Sequence, residues 1–278
     1  MVWTCLSIVR NKYYKDAQTS ILCKTLEHIL HSTIITHLEH HNLLSDLQHR
    51  FRKKRSTESQ LILTVQDLAA DFDKGPQIDA VLLDFSKAFD KVPHRRLLLK
   101  LHHSGVRSNT LSWIADFLSG RSQEVVLEGK HSAQCKVTSG VPQGTVLGPL
   151  LFLVYINDMP PCVSSRARIF ADDCLLYRPI KTEADATKLQ EDIDALQNWE
   201  STWQMSFNPD KCEVLRITNK RNKIMANYYI HGQQLQIVDN ALPSPKSLVQ
   251  QSCKQHHEEG KFHPSLPSTQ HPKLPTES

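Results

Sequence analysis

Residues 168–177 read RIFADDCLLY, an acidic pair between two short apolar arms. The arms, residues 168–170 and 174–177, predict two β-strands joined by a tight turn. Asp172 and Asp173 would then lie at the tip of a hairpin whose flanks are apolar. Because acidic residues are rare beside buried strands, this stretch is the most informative one for both the fold and the chemistry.

A second apolar run, residues 78–84, predicts a buried strand that ends on Asp84. A carboxylate at the edge of a buried strand costs free energy unless it is paired or bound to a cation. Three carboxylates brought together would repel one another, and hard divalent ions such as Mg²⁺ relieve that repulsion. Two such ions about 4 Å apart can activate an attacking hydroxyl and stabilise a leaving oxygen in phosphoryl transfer. The simpler alternative stays open: the acidic pair fills a turn, and Asp84 caps a short helix over residues 86–91.

Composition excludes several broad classes of protein. The chain has 278 residues, 40% of them apolar and 22% charged, which indicates one or two globular domains. Seven scattered cysteines without a Cys-x-x-Cys pair predict reduced thiols in an intracellular protein. The most apolar stretch, residues 146–156, is far shorter than a membrane span, and no secretory leader is predicted. The net charge of +4 permits a nucleic-acid partner without demonstrating one.

Hydrophobic periodicity predicts a mixed fold. Helical spacing occurs in residues 20–39, 57–72, 97–103, 111–118, 148–158 and 183–203. Besides the strands above, residues 214–218 predict a strand, and two hairpins pair residues 124–127 with 135–138 and residues 228–230 with 235–238. Because helices and strands mix without strict βαβ alternation, the sequence favours an α+β fold with an antiparallel sheet. No element is predicted for the first 20 residues.

Four stretches, in their order and separations, resemble motifs A, B, C and D of reverse transcriptases of non-LTR (LINE-type) retrotransposons. They are VLLDFSKAFDKV at 81–92, SGVPQGTVLGP at 139–149, FADD at 170–173 and FNPDKC at 207–212. The resemblance covers the chain from about residue 21 to residue 237. It implies a right-hand polymerase palm, with an antiparallel sheet packed on helices and partial helical fingers on its N-terminal side.

The resemblance also implies domain boundaries. Residues 1–75 would hold a degenerate N-terminus and partial fingers, and residues 76–242 the palm with a fingers insertion. Residues 243–278 contain 6 of the 14 prolines and predict a disordered tail. The family continues with a primer grip and a helical thumb that do not appear after residue 242, so the chain is expected to be truncated. Residues 13–18, YYKDAQ, lack the arginine that the family usually carries in its fingers to bind the triphosphate.

By the same resemblance, Asp84, Asp172 and Asp173 match the catalytic triad that holds two Mg²⁺ ions, with Mn²⁺ as a possible substitute. Lys211 matches the motif D lysine, a candidate general acid for the pyrophosphate leaving group. A surface lysine is the alternative for Lys211.

Four further residues match the nucleotide-binding segments. Phe89 matches the steric gate that excludes a 2′-hydroxyl, and Phe85 is assigned to the same substrate site. Gln143 and Gly144 match the segment that lines the incoming nucleotide and the template base. The alternatives are a core phenylalanine for Phe89 and a simple turn for Gln143 and Gly144.

A basic run, residues 50–55, overlaps the phrase LQHRFR at residues 47–52, which resembles a fingers segment of the family. The predicted nucleic-acid-binding residues are Arg50, Arg52, Lys53, Lys54 and Arg55, since clustered cations suit the phosphates of an RNA template or a primer. A solvated basic loop is the alternative.

The resemblance therefore implies an RNA-directed DNA polymerase that uses an RNA template, a DNA primer and deoxynucleoside triphosphates. One alternative is a catalytically inactive remnant, which either binds nucleic acid or has no role. The other is a different polymerase of the same superfamily, such as a group II intron or telomerase-like enzyme. The sequence does not choose between nucleus and cytoplasm, and it does not predict an oligomeric state.

Overall fold

The computed structural model describes residues 7–11, 14–17, 21–52, 55–73, 77–127 and 130–239. The predicted tail, residues 243–278, lies outside these ranges, as do Lys53 and Lys54. For residues 7–11, 14–17, 126–127 and 239 only the backbone is described.

Seven α-helices are described, and they include the six that periodicity predicts. They are α1 (Ile21–His40), α2 (Thr57–Phe72), α3 (Ala88–Lys91), α4 (His94–His103), α5 (Ser108–Leu118), α6 (Leu147–Ile156) and α7 (Glu183–Trp203). Capping boxes start two of them, with Ser56 and Ser59 at α2 and with Thr182 and Asp185 at α7. Such side chains satisfy backbone N–H groups that have no partner within the helix.

Twelve strands are described. They are β1 (Ser7–Asn11), β2 (Tyr14–Ala17), β3 (Gln77–Asp84), β4 (Ser122–Leu127), β5 (Lys130–His131), β6 (Cys135–Lys136), β7 (Arg166–Phe170), β8 (Asp173–Ile180), β9 (Glu213–Ile217), β10 (Tyr229–Ile230), β11 (Gln233–Gln234) and β12 (Gln236–Asp239). Two of them, β1 and β2, lie in the first 20 residues, where the sequence predicts no element.

The sheet that carries the acidic residues has the strand order β12-β9-β3-β8-β7. Strand β3 is central and pairs antiparallel with both β8 and β9. Strands β7 and β8 form the predicted hairpin. The α+β class is confirmed, and the sheet is antiparallel except at one edge, where β12 runs parallel to β9.

The main core forms between this sheet and the helices. Helix α6 lies at its centre, with nine of its ten residues buried. Since that helix has no polar face, it can be stable only when it is surrounded by apolar side chains. The prediction of a buried helix here is confirmed.

Two predicted hairpins differ from the structure. Strand β10 pairs with β11, whereas residues 236–239 leave the hairpin and join β9 in the central sheet. Strand β4 pairs with both β5 and β6, and also with β1, in a second sheet. Periodicity identifies a strand, but it does not identify the partner of that strand.

Among the described residues, no helix is both long and apolar enough to cross a bilayer.

Candidate active site

Asp84 and Asp173 are Cα partners, the last pair of the β3–β8 ladder at one end of the central sheet. Residues directly opposite each other on antiparallel strands carry their side chains on the same face. Asp172 comes just before Asp173, and together with Ala171 it forms the two-residue turn between β7 and β8. The fold therefore brings Asp84 to the same end of the sheet as Asp172 and Asp173, which follow it by 88 and 89 positions in the sequence.

The segment that carries Lys211 is bonded to the end of β3. The backbone N–H of Asn208 donates to the carbonyl of Asp84 at 2.8 Å. A short 3₁₀-helix, Pro209–Lys211, then brings the Lys211 Nζ atom to 3.7 Å from Asp84 Oδ2. Because about half of the Lys211 side chain is exposed, its ammonium group can reach a molecule bound at the aspartates.

Arg50 lies beside the acidic turn. Its guanidinium carbon is 4.8 Å from the centre of the Phe170 ring and 5.0 Å from that of Phe51. Burial lowers the pKa of Arg50, while the negative charges of Asp172 and Asp173 act in the opposite direction. Arg50 therefore contributes positive charge to the acidic cluster, although the sequence assigned it only to RNA binding.

The other described members of the predicted basic run are engaged within their own loop. Arg52 donates to the carbonyl of Ser45 at 2.7 Å and lies 3.6 Å from Asp46. Arg55 binds the Asp46 carboxylate at 2.5 Å. Both guanidinium groups therefore help to hold this loop, and the nucleic-acid contacts expected of them stay a prediction.

Phe85 lies in the core beside the segment that carries Lys211. Its side chain is only 3% exposed and stacks on Phe207, with ring centres 4.4 Å apart. The Trp199 ring is tilted against the Phe85 ring, with ring centres 6.1 Å apart. The Phe85 ring therefore belongs to the core, where it holds the segment of Lys211 against the end of β3. Its place in the substrate site stays a prediction.

Phe89 connects the two segments that resemble motifs A and B. Its ring stacks on Phe152 of α6 at 4.4 Å, and its carbonyl accepts from the N–H of Val141 at 2.7 Å. The Ser139 hydroxyl donates to the carbonyl of Asp90 at 2.9 Å. Phe152 therefore supports one face of the half-buried Phe89 ring. Such support suits a steric gate, a side chain that limits the space for a bound nucleotide.

Gln143 and Gly144 are exposed on the loop that precedes α6. Gly144 has a φ of +77°, a conformation that glycine adopts without steric cost. The loop is closed by Thr145, whose hydroxyl donates to the carbonyl of Pro142 at 2.8 Å and accepts from Gly148 N–H at 3.1 Å. The structure therefore holds the predicted substrate-binding pair on a tightly bonded turn.

Glu27, which sequence reasoning missed, caps this turn from helix α1. Its Oε2 atom accepts from the N–H groups of Val146 and Leu147 at 2.8 and 3.1 Å. The side chain is completely buried, and burial raises its pKa. A carboxylate at a helix N-terminus satisfies orphan N–H groups and interacts favourably with the helix dipole. No local pattern marks this residue, because its partners lie about 120 positions later.

Two buried cysteines near the aspartates remain protonated thiols. Burial raises the pKa of Cys174 to about 12 and that of Cys212 to about 11. Since the thiolate is the reactive form of cysteine, these groups are not nucleophiles at neutral pH. The charged groups at this end of the sheet are therefore the carboxylates together with Lys211 and Arg50.

The donor atoms at this end of the sheet suit a hard cation. Carboxylate oxygens are the protein ligands that Mg²⁺ prefers. Within the described residues, no three His, Cys, Asp or Glu side chains are gathered into a cluster that could hold a metal ion. That arrangement still fits Mg²⁺, which in phosphate-transferring sites is usually bound by one or two carboxylates together with substrate phosphates.

Comparison with known proteins agrees with this geometry. The family model described as "Reverse transcriptase (RNA-dependent DNA polymerase)" matches residues 11–258. The RNA-directed DNA polymerase from mobile element jockey of Drosophila funebris is 32% identical over 207 residues, 71% of this chain and 22% of that protein. The probable RNA-directed DNA polymerase from transposon X-element of Drosophila melanogaster is 31% identical over 206 residues, 72% of this chain and 23% of that protein.

Solved structures agree at the level of the fold. Telomerase from Candida albicans superposes with a TM-score of 0.52 at 13% identity, covering 78% of this chain and 39% of that one. Apo telomerase from Candida tropicalis gives a TM-score of 0.50 at 12% identity, covering 73% and 42%. The predicted palm is therefore confirmed as a fold. The chain spans less than a quarter of the length of the two curated relatives.

Proposed function

The chain belongs to the reverse transcriptase (RNA-dependent DNA polymerase) family, as its relatives in non-LTR retrotransposons indicate, and we propose that it copies RNA into DNA. In the proposed reaction the 3′-hydroxyl of a DNA primer attacks the α-phosphorus of a deoxynucleoside triphosphate. A new phosphodiester bond forms, and pyrophosphate leaves. The RNA template selects the nucleotide by base pairing.

One observation carries this proposal: Asp84 and Asp173 face each other across two strands, with Asp172 in the adjoining turn. The negative charges of carboxylates in this position must be balanced by positive charge, and Lys211 and Arg50 supply part of it. The remaining negative charge suits divalent cations that arrive with a nucleoside triphosphate.

We assign Asp84, Asp172 and Asp173 as the residues that would hold two Mg²⁺ ions, which Mn²⁺ could replace. When bound, the ions supply the Lewis acidity that lowers the barrier to phosphoryl transfer. The three side chains come from a strand end and a tight turn of the same sheet. Their backbones are therefore rigid, and they need little reorganisation to receive the charged substrate.

Lys211 and Phe89 have separate roles in this proposal. Lys211 donates a proton to the leaving pyrophosphate, because its side chain is half exposed and its ammonium group already lies beside Asp84. Phe89 selects deoxyribonucleotides, because its ring is supported by Phe152 and cannot retreat from an added 2′-hydroxyl. The exposed turn at Gln143 and Gly144 contacts the base pair that forms between nucleotide and template.

The proposal is tested by primer extension with the full chain. A labelled DNA primer is annealed to an RNA template and incubated with Mg²⁺ and the four deoxynucleoside triphosphates. Extension is expected, and it should stop when the template is omitted or when EDTA removes the metal. A folded chain that binds the RNA hybrid in a salt-sensitive manner but never extends the primer would overturn the proposal. Such a result would identify a nucleic-acid-binding remnant.

A further inference from the structure

The loop after α1 runs beside strand β7 and adds a short parallel pairing to it. Gln48 and Ile169 form a β-bridge, in which the N–H of Ile169 donates to the carbonyl of Leu47 at 3.0 Å. The N–H of His49 donates to the carbonyl of Ile169 at 3.4 Å. This pairing brings the Gln48 side chain to the turn that carries the acidic pair.

The Gln48 amide binds both polar backbone groups of one residue in that turn. Its Oε1 atom accepts from the N–H of Ala171 at 3.3 Å, and its Nε2 atom donates to the carbonyl of Ala171 at 3.4 Å. The same Oε1 atom accepts from the N–H of Arg50 at 3.0 Å. Gln48 is only 3% exposed, so these bonds form with little competition from water.

Ala171 is the residue that needs such support. Its φ is +56°, in the left-handed region that non-glycine residues rarely occupy. Residues in such conformations persist where their surroundings determine the backbone, and they concentrate at functional sites. The carbonyl that Gln48 binds belongs to the peptide plane between Ala171 and Asp172. The amide therefore sets the direction in which the Asp172 side chain leaves the turn.

We propose that Gln48 is a positioning residue for the metal-binding carboxylate of Asp172. This inference rests on the proposed function, since it assumes that Asp172 binds a divalent cation. Gln48 contacts neither the metal nor the substrate. It acts through Ala171, and its loss leaves the fold in place while the carboxylate becomes less well oriented.

The chain contains a matched control. Gln77, which is fully buried, holds Ile224 with the same two bonds: it accepts from the Ile224 N–H at 2.9 Å and donates to the Ile224 carbonyl at 3.0 Å. Gln77 begins β3 and Asp84 ends it, so this second amide lies about 23 Å from the acidic turn at the usual rise of a strand. Replacing either glutamine by methionine removes these two bonds and keeps the size of the side chain. Each change also removes a third bond, from the Arg50 N–H to Gln48 at 3.0 Å or from Gln77 to Asp79 Oδ1 at 2.8 Å.

The test compares the full wild-type chain with Gln48→Met and Gln77→Met. Mn²⁺ binding is followed by electron paramagnetic resonance of the free ion, without substrate. Primer extension then gives the Mg²⁺ concentration at half-maximal rate, kcat, and KM for the nucleotide. Residues that orient a metal ligand typically change metal affinity by 10- to 100-fold. We expect Gln48→Met to weaken Mn²⁺ binding and raise the Mg²⁺ requirement about 10-fold, with a lower kcat.

Gln77→Met should leave metal binding and kcat within about twofold of wild type while it lowers the melting temperature, since it acts on stability alone. Wild-type metal binding in Gln48→Met, or an equal loss in Gln77→Met, would overturn the inference. If Gln48→Met does not fold, Gln48→Asn, which is too short to reach both groups, takes its place with the same expectations. A wild-type chain that neither binds Mn²⁺ nor extends a primer would overturn the proposed function as well. Normal wild-type activity with an unaffected Gln48→Met would overturn the inference alone.

Discussion

The Nζ atom of Lys211 lies 3.7 Å from Oδ2 of Asp84, on a segment whose backbone is bonded to the carbonyl of the same aspartate. A cation in this position can either neutralise a carboxylate or deliver a proton to a substrate that displaces it. The two roles are separable, because arginine preserves the charge but does not lose its proton in proteins.

We expect Lys211→Met to slow single-nucleotide addition about 100-fold, in the range measured for the loss of a general acid. Lys211→Arg should be nearly as slow, although it can still pair with Asp84. Rapid-quench measurements under single-turnover conditions would give both rates. Wild-type rates in Lys211→Arg would contradict proton donation and leave a role for charge alone.

Phe89 should control the choice of sugar. Phe89→Ala is expected to improve the use of ribonucleoside triphosphates relative to deoxyribonucleoside triphosphates by about 10- to 100-fold, the range available to a steric pocket that rejects one added group. Phe89→Tyr keeps the bulk of the ring and should keep the selectivity. The ratio of kcat/KM for the two nucleotides measures this effect, and an unchanged ratio in Phe89→Ala would contradict the assignment of a gate.

Gly148 should be required for the turn before α6. A Cβ atom there would lie 2.1 Å from the carbonyl oxygen of Pro142 and 2.9 Å from the Thr145 hydroxyl. We expect Gly148→Ala to lower the free energy of unfolding by about 1–3 kcal/mol and to impair extension, because the backbone must move.

Gly232→Ala provides the control for this steric effect. A Cβ atom at Gly232 would have no heavy atom within 4 Å, although its φ of +76° makes alanine unfavourable there by about 1 kcal/mol. Denaturant titration gives the stability of both variants. If extension fell equally in both, the effect on activity could not be assigned to the turn.

Lys100 should make stability depend on alkaline pH. Its ammonium nitrogen lies 3.6 Å from the centre of the Trp203 ring and 2.6 Å from Asp158 Oδ1, and burial lowers its pKa from the usual 10.5 to about 8. Between these values the unfolded chain binds more protons than the folded chain. The contribution of Lys100 to stability therefore rises with pH from about 8 to about 10.5, by on the order of 3 kcal/mol.

Urea titrations across that pH range would test this prediction against Lys100→Met, which preserves the apolar packing of the side chain. The free energy of unfolding of the wild type, minus that of Lys100→Met, should increase as pH rises. A constant difference would contradict the lowered pKa.

The strands and helices that decide the fold were predictable because their signals are local. The apolar run before Asp84 and the two arms around Asp172 each carry their own pattern, and the structure pairs them at the predicted turn. The buried helix α6 was predictable for the same reason. The family resemblance then placed the aspartates in one site, which periodicity alone could not do.

The contacts that support the site were not predictable, because they join residues far apart in the chain. Gln48 binds Ala171, 123 positions later, and Glu27 binds the turn before α6, about 120 positions later. The pairing of Arg52 and Arg55 with Asp46 depends on how one loop folds back on itself. Each of these side chains has an ordinary polar neighbourhood in sequence and acquires its role only through tertiary structure.

The central claim is that the acidic turn performs the chemistry, and one substitution at Asp172 tests it most directly. Asp172→Asn is compared with Asp194→Asn, an identical change on the exposed face of α7, where Asp194 binds only glutamine side chains among its described contacts. The measurement is single-turnover extension of a primer on an RNA template with Mg²⁺. We expect Asp172→Asn to lose at least about 100-fold in rate, while Asp194→Asn extends like the wild type. Equal extension by the two folded variants would contradict the account.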